Sequence, residues 1–270
     1  MISFPNAKIN IGLNITEKRP DNYHNLESFF YPIPIKDILE IVESSNHETR
    51  LHLSGITIDG NSEDNLIMKA YRLLAADYSI PAVDIYLEKK IPFGAGLGGG
   101  SSDAAFTLKM LNEMFSLQLS TEALENYASK LGADCPFFIQ NKPVFATGIG
   151  NIFTQIDFSL NQVFMVLVKP DVHISTKEAY SLIKPQKTTI PVCERIKQPM
   201  ETWKDTIVND FEYSVFPQHP SVKAIKDKLY ENGAIYASMS GSGSSVYGFF
   251  SQPTDLKHLF PSEYVFQGGI

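Results

Sequence analysis

Residues 92–105 read P-F-G-A-G-L-G-G-G-S-S-D-A-A. Gly94, Gly96, Gly98, Gly99 and Gly100 crowd together, and Ser101, Ser102 and Asp103 follow directly. Without a Cβ, glycine takes positive φ readily and lets another group approach its backbone. Ala104, Leu108, Leu111 and Phe115 then recur at steps of four, three and four, the period of a helix, with Ser101 or Ser102 as its N-cap. The first N–H groups of a helix have no partner within it. Beside glycine amides they form a site for anions, typically phosphate. The stretch therefore predicts a phosphate loop; a flexible glycine linker is the plainer alternative.

Gly94, Gly96 and Gly99 satisfy G-x-G-x-x-G, the dinucleotide fingerprint, which requires a strand after its helix. Here Leu124, Tyr127, Ala128 and Leu131 give the next segment a helical period too. Two successive helices argue against a dinucleotide unit, and no glycine-lysine-serine/threonine follows to make a Walker loop.

Composition narrows the class. A chain of 270 residues suggests two domains, and 43% hydrophobic with 20% charged residues fits a soluble globular protein. The net charge of −7 disfavours a nucleic-acid or anionic-membrane partner and makes a local anion site more necessary. Cys135 and Cys193 are too few for a disulfide framework, and the six histidines lack ligand spacing. No leader-like N-terminus or bilayer-length apolar run is read, so a cytoplasmic protein is expected.

Upstream of the loop, residues 8–15 alternate: Ile9, Ile11, Leu13 and Ile15 on one face, Lys8, Asn10, Gly12 and Asn14 on the other. This predicts a half-buried strand with Lys8 and Asn10 side by side, about 7 Å apart; a solvated polar face is the simpler reading. Residues 19–24 carry turn chemistry and end in Tyr23 and His24, a planar pair able to stack on a ring, or equally a packing tyrosine with a solvated histidine. Strands are expected at 37–43, 50–53 and 83–88. A helix is expected at 62–78, capped by Asn61 or Ser62. Lys89 and Lys90 sit just before the glycines, where they could neutralise phosphate or simply end a strand.

Downstream, Gly132 is expected to end a helix. Asp134 then enters the apolar C-P-F-F-I; capping a short following helix is its simpler role. A strand is expected at 143–149, and the segment 150–160 is the expected domain crossing. Residues 163–168 form an apolar strand, and a helix starts at Ser175 or Thr176. Little periodicity marks 183–197. Trp203, Ile207 and Phe211 suggest one helix; Val222, Ile225 and Leu229 suggest another, ended by Gly233. Strands at 234–237 and 246–250 flank S-M-S-G-S-G-S-S, residues 238–245, a second glycine-serine loop that is either a turn or a second wall of the same anion site.

The sequence resembles the GHMP small-molecule kinases. The loop at 92–105 looks like their phosphate motif. A-K-I-N-I-G-L-N-I at 7–15, D-N-Y-H-N-L at 21–26, E-D-N-L-I at 63–67 and L-G-A-D-C-P-F-F at 131–138 resemble motifs of the branch acting on a cytidine-diphosphate alcohol. They occur in the family's order and cover most of residues 4–150. The resemblance implies an α+β fold of two domains: a ribosomal-S5-domain-2-like N-terminal one, 1–155, and a ferredoxin-like C-terminal one, 156–270. It implies transfer of the ATP γ-phosphate, with Mg²⁺, to the 2-hydroxyl of cytidine-diphosphate methylerythritol in the non-mevalonate route to isoprenoid precursors. Asp134 falls on the catalytic aspartate and Lys8 on its partner lysine. Pro92, Gly94, Gly96, Leu97, Gly98, Gly99, Gly100, Ser101 and Ser102 would cradle the phosphates; Asp64, Asn65, Leu66 and Lys89 fall on nucleotide-side positions. Asn10, Tyr23, His24, Thr176, Tyr180 and Gly241 fall on substrate-side positions, with Tyr23 and His24 holding cytosine and Tyr180 closing over it. Asp103 does not identify a Mg²⁺ ligand, and a monomer or a homodimer both fit. A sister kinase for mevalonate or homoserine, a non-catalytic nucleotide-binding regulator and a dinucleotide oxidoreductase are the rival readings.

Overall fold

The computed structural model describes residues 1–57 and 61–270, and the chain forms two compact units, neither continuous in sequence. The first comprises Met1–Ala7, Pro34–Phe93 and Gly98–Lys142; the second comprises Lys8–Ile33, Gly94–Leu97 and Pro143–Ile270.

In the first unit, strands β1 (Ile2–Ser3), β4 (Ile38–Glu43), β5 (Arg50–Gly55) and β6 (Val83–Lys89) form a sheet in the order β1-β4-β6-β5. β5 runs parallel to β6, and the other pairs are antiparallel. V-D-I-Y-L-E-K alternates as read: Val83, Ile85, Leu87 and Lys89 are buried. Among the described residues four α-helices belong to this unit: α1 (Leu66–Asp77), α2 (Gly99–Met114), α3 (Thr121–Ser129) and α4 (Phe137–Gln140). Three sequence expectations change here. Residues 62–64 form a separate 3-10 turn, and Asn65 caps α1 by accepting from the Ile67 N–H at 3.0 Å. α2 starts at Gly99 behind a left-handed Gly98 (φ 68°), so Ser101 and Ser102 lie inside its first turn and do not cap it. α3 ends at a right-handed Lys130, before Gly132.

The second unit holds two sheets. β2 (Asn6–Lys18), β3 (His24–Lys36), β7 (Val144–Thr147) and β8 (Ile152–Gln155) lie in the order β2-β3-β7-β8, with the first residues of β2 and the last of β3 belonging to the first unit. β9 (Phe164–Lys169), β10 (Tyr236–Met239), β11 (Val246–Phe250) and β12 (Tyr264–Gly269) lie in the antiparallel order β10-β11-β9-β12. That strand order is the one expected of a ferredoxin-like domain, but a 3-10 turn at Lys257–Leu259 stands where its second crossover helix would be. Between β9 and β10 run α5 (Thr176–Tyr180), α6 (Val192–Arg195), α7 (Trp203–Thr206), α8 (Glu212–Gln218) and α9 (Pro220–Glu231). The core joins Leu13, Ile15 and Leu26 to Val166, Val168, Leu229, Met239 and Val246.

The expected helix through Trp203 and Phe211 is one turn, α7, followed by extended backbone. Leu13 N–H donates to Val208 O (2.9 Å) and Asp210 N–H to Leu13 O (2.7 Å). This segment covers the outer edge of β2. Residues 6–15 are consequently all buried, and the solvated face expected for Lys8, Asn10 and Asn14 does not exist. The segment 150–160, expected as a domain crossing, contains β8 and stays within the second unit.

Candidate active site

The second unit presents a chain of buried polar groups on β2. Lys8 Nζ donates to Asn10 Oδ1 at 2.5 Å and lies 4.7 Å from the centre of the Phe30 ring. Asn10 Nδ2 donates to Ser28 Oγ (2.8 Å), which donates to the Gly12 carbonyl (2.7 Å). A buried ammonium requires such neighbours, because desolvation penalises its charge. The expected Lys8–Asn10 pairing is thus present, on a strand that is dry.

The same unit brings two glycine segments together. Lys8 N–H donates to the Leu97 carbonyl at 2.9 Å, which ties the lysine strand to the loop. Ser240 Oγ donates to the Gly96 carbonyl (2.9 Å) and accepts from Asn10 N–H (3.3 Å). Gly96 has φ 75°, and a Cβ there would lie 2.0 Å from the Ser240 carbonyl. Gly241 packs against Gly96 and Asn10 Oδ1. Asn209 was not singled out in the sequence. Its buried amide donates to the Met239 and Gly241 carbonyls at 2.7 and 2.8 Å and so holds the second loop. Its only sequence signal is a polar Asn-Asp pair between Ile207 and Phe211.

The aromatic pair differs from expectation. His24, at the start of β3, stacks on Tyr180 at the end of α5, with ring centres 4.8 Å apart and planes inclined by 24°. Burial, and then the charge of Lys18, lower the pKa of His24 and favour its neutral ring. Tyr23 is 61% exposed and is not its stacking partner. Thr176 is exposed on the first turn of α5, which Ser175 caps. Gly94, also exposed, faces the His173 ring.

The first unit carries the helix start. Helix geometry leaves the N–H groups of residues 99–101 without an intrahelical acceptor, and Ser102 N–H already donates to Gly98 O. Ser102 is buried, and its Oγ has no hydrogen-bond partner among the described residues. A Cβ on Gly100 would meet Leu66 at 3.8 Å, which puts Leu66 beside the helix start. Asn65 is committed to capping α1, and Asp64 is exposed. Pro92 is buried at the loop entry. Asp134 is half-buried in the turn before α4, whose N-cap position is Pro136 and not Asp134. Cys135 beside it is pushed up to about 11, chiefly by burial, while a hydrogen bond from Ser101 and the charge of Asp134 act in opposite directions. The Cys135 side chain therefore neighbours the first turn of α2 within this unit.

Lys89 is where sequence and structure part most clearly. It is 2% exposed, and its Nζ donates to Asp37 Oδ2 at 2.5 Å and to Asp103 Oδ2 at 2.6 Å. The expected phosphate neutraliser is an internal ion-pair partner. Burial drives the Asp103 carboxyl up to about 7; Lys89 opposes this and Asp37 adds to it.

The comparisons with known proteins agree over the whole length. The sequence profile of the GHMP kinases N terminal domain matches residues 65–142, and that of the GHMP kinases C terminal matches residues 194–260. The 4-diphosphocytidyl-2-C-methyl-D-erythritol kinase of Bacteroides fragilis is 58% identical over 270 residues, 99% of this chain and 98% of that protein. The Parabacteroides distasonis protein of the same name is 54% identical over the full length of both chains. A crystal structure of 4-(cytidine 5'-diphospho)-2C-methyl-D-erythritol kinase matches with a TM-score of 0.84 at 28% identity, covering all of both chains.

Two outcomes are expected. Gly96→Ala forces a Cβ against the Ser240 carbonyl at a left-handed φ. It lowers unfolding free energy by more than about 2 kcal/mol in denaturant melts; a change within about 0.5 kcal/mol would refute the close approach. For Asp103, the folded state keeps a proton that the unfolded chain releases above the ordinary value of 3.8. Its contribution is present below that value and lost as pH rises to about 7. The unfolding free energy of the native protein minus that of Asp103→Asn therefore falls between pH 4 and pH 7; a pH-independent difference contradicts the assignment.

Proposed function

From the premise that the chain belongs to the 4-diphosphocytidyl-2-C-methyl-D-erythritol kinases, within the GHMP kinases, we infer that it transfers the γ-phosphoryl group of ATP to the 2-hydroxyl of that cytidine-diphosphate alcohol, in the non-mevalonate route to isoprenoid precursors. The 2-hydroxyl oxygen bonds to the γ-phosphorus as the bond to the β,γ-bridging oxygen breaks and ADP leaves. The hydroxyl proton passes to the Asp134 carboxylate, acting as general base. Lys8, oriented by Asn10, stabilises the attacking oxygen and the charge on the transferred group. The glycine loop and the amides at the start of α2 hold the ATP phosphates, with Leu66 beside the base.

Mg²⁺ supplies charge neutralisation on the phosphates when bound. Among the described residues no group of three or more His, Cys, Asp and Glu side chains gathers to hold a metal. Among the described residues no helix is long and apolar enough to cross a membrane. We place the activity in the cytoplasm, where ATP is available. The two family profiles, at 65–142 and 194–260, support an N-terminal and a C-terminal inherited module whose boundary lies between residues 142 and 194.

The observation that carries the choice of substrate is the His24–Tyr180 stack. A cytosine ring can use a neutral aromatic pair; mevalonate and homoserine have no ring to place there. The test is ADP release with ATP and Mg²⁺, offering the cytidyl alcohol, mevalonate and homoserine in turn. Turnover is expected with the cytidyl alcohol alone, and turnover with another alcohol in its place overturns the reading. Tyr180→Ala raises KM for the cytidyl alcohol roughly 10- to 100-fold, the range of one base stack, with kcat within about threefold. Asp134→Asn still binds ATP but loses about 10²- to 10⁴-fold in kcat; near-native kcat removes Asp134 from the chemistry.

A further inference from the structure

The Lys89 cluster connects the two ends of the glycine loop. Lys89 closes β6, three residues before Pro92. Its ammonium binds Asp103, on the second turn of α2 just beyond the loop. It also binds Asp37, between β3 and β4, whose other oxygen accepts the N–H groups of Lys90 (2.6 Å) and Ile91 (2.8 Å). Gly99 packs so tightly here that a Cβ would lie 3.0 Å from Lys89 Nζ and 2.9 Å from an Ile91 methyl. The strand entering the loop and the helix leaving it are thus fastened at one buried point. The cluster carries a charge of −1 with both carboxylates ionised and none while Asp103 keeps its proton, so in neither form does it offer a phosphate a net positive charge. Asp103 Oδ1 finds no partner among the described residues, so this carboxylate has Lys89 as its anchor. A buried ion pair is weak evidence of added stability, because apolar residues fill such sites equally well. Its directional bonds do fix where the first turn of α2 lies.

We propose that Lys89, Asp37 and Asp103 form a brace that sets the shape of the glycine loop, and that Lys89 affects nucleotide binding through Asp103 and Asp37 without touching the phosphates. The functional half of this rests on the ATP-binding reading of the loop. Asp103→Asn separates brace from ligand by the sign of its effect. It weakens one arm of the brace, so ATP binds roughly 3- to 30-fold more weakly, KM for the cytidyl alcohol stays within twofold, and amide hydrogen exchange across residues 90–105 quickens. If Lys89 were a phosphate ligand, losing a competing carboxylate would tighten ATP binding. Tighter or unchanged ATP binding, or unchanged exchange, overturns the brace. Lys89→Met is compared alone and with Asp103→Asn: the brace predicts losses of ATP affinity that are strongly non-additive, and additive losses contradict it. Should Lys89→Met fail to fold, the exchange and binding data on Asp103→Asn decide. Faster exchange in a protein whose native form binds no ATP would leave the brace standing and remove the ATP reading.

Discussion

Gly96 meets the Ser240 carbonyl at a distance that excludes any side chain, and much of the second unit is organised around that approach. Two backbone segments this close must satisfy each other's polar groups, since water has no room to do so. Ser240 Oγ serves both Asn10 N–H and Gly96 O, and the Asn209 amide holds the carbonyls on either side of Ser240. Tyr247 donates to the Asn10 carbonyl at 2.8 Å, and Leu97 accepts from Lys8. The lysine strand and the two glycine segments are therefore one hydrogen-bonded body. The glycines that suggest flexibility in the sequence lie here in close-packed backbone.

Several parts of the fold were legible because their signal is local. The alternation in β6, the stripe of Val222, Ile225 and Leu229 in α9 and its terminal Gly233, at φ 92°, all appear as read. So does the Ser175 cap of α5. What was not legible depends on distant chain. Residues 183–197 show little periodicity and 203–211 suggest a helix, yet Val192, Ile196, Trp203 and Ile207 are buried there and the backbone at 208–210 covers β2. Without that cover the polar face of β2 would meet water. Nothing in I-N-I-G-L-N-I announces a strand buried on both sides. Asn209 escaped for the same reason: its role lies in what Met239 and Gly241 bring to it.

The aromatic site has a geometry that its motif does not reveal. Tyr23 and His24 are adjacent in sequence, but adjacent residues near a strand start point to opposite sides. His24 turns inward to Tyr180, and Tyr23 turns out to solvent. The partner comes from 156 residues further along the chain, by the numbering of His24 and Tyr180. A ring whose charged form is disfavoured by burial and by Lys18 suits recognition of a neutral base through its face and edge. An imidazolium there would instead favour an anion.

Lys8 and Lys89 bring the same question to a point, since both are buried lysines beside the glycine loop. By resemblance Lys8 takes the place of the catalytic aspartate's partner and Lys89 a nucleotide-side place. Their acceptors differ in charge. Asn10 orients the Lys8 ammonium and contributes no charge of its own, and the Phe30 face adds only a weak attraction. Asp37 and Asp103 both bind Lys89 and leave it no net positive charge, whether or not Asp103 keeps its proton. A neutral amide is what an enzyme needs beside a cation that must still act on a phosphoryl group; a carboxylate pair is what a fold needs beside a cation that only has to hold. The distinction rests on residues 2, 14 and 52 positions away from the two lysines. Position beside a motif therefore does not reveal whether a lysine serves chemistry or shape; the charge of its acceptors does.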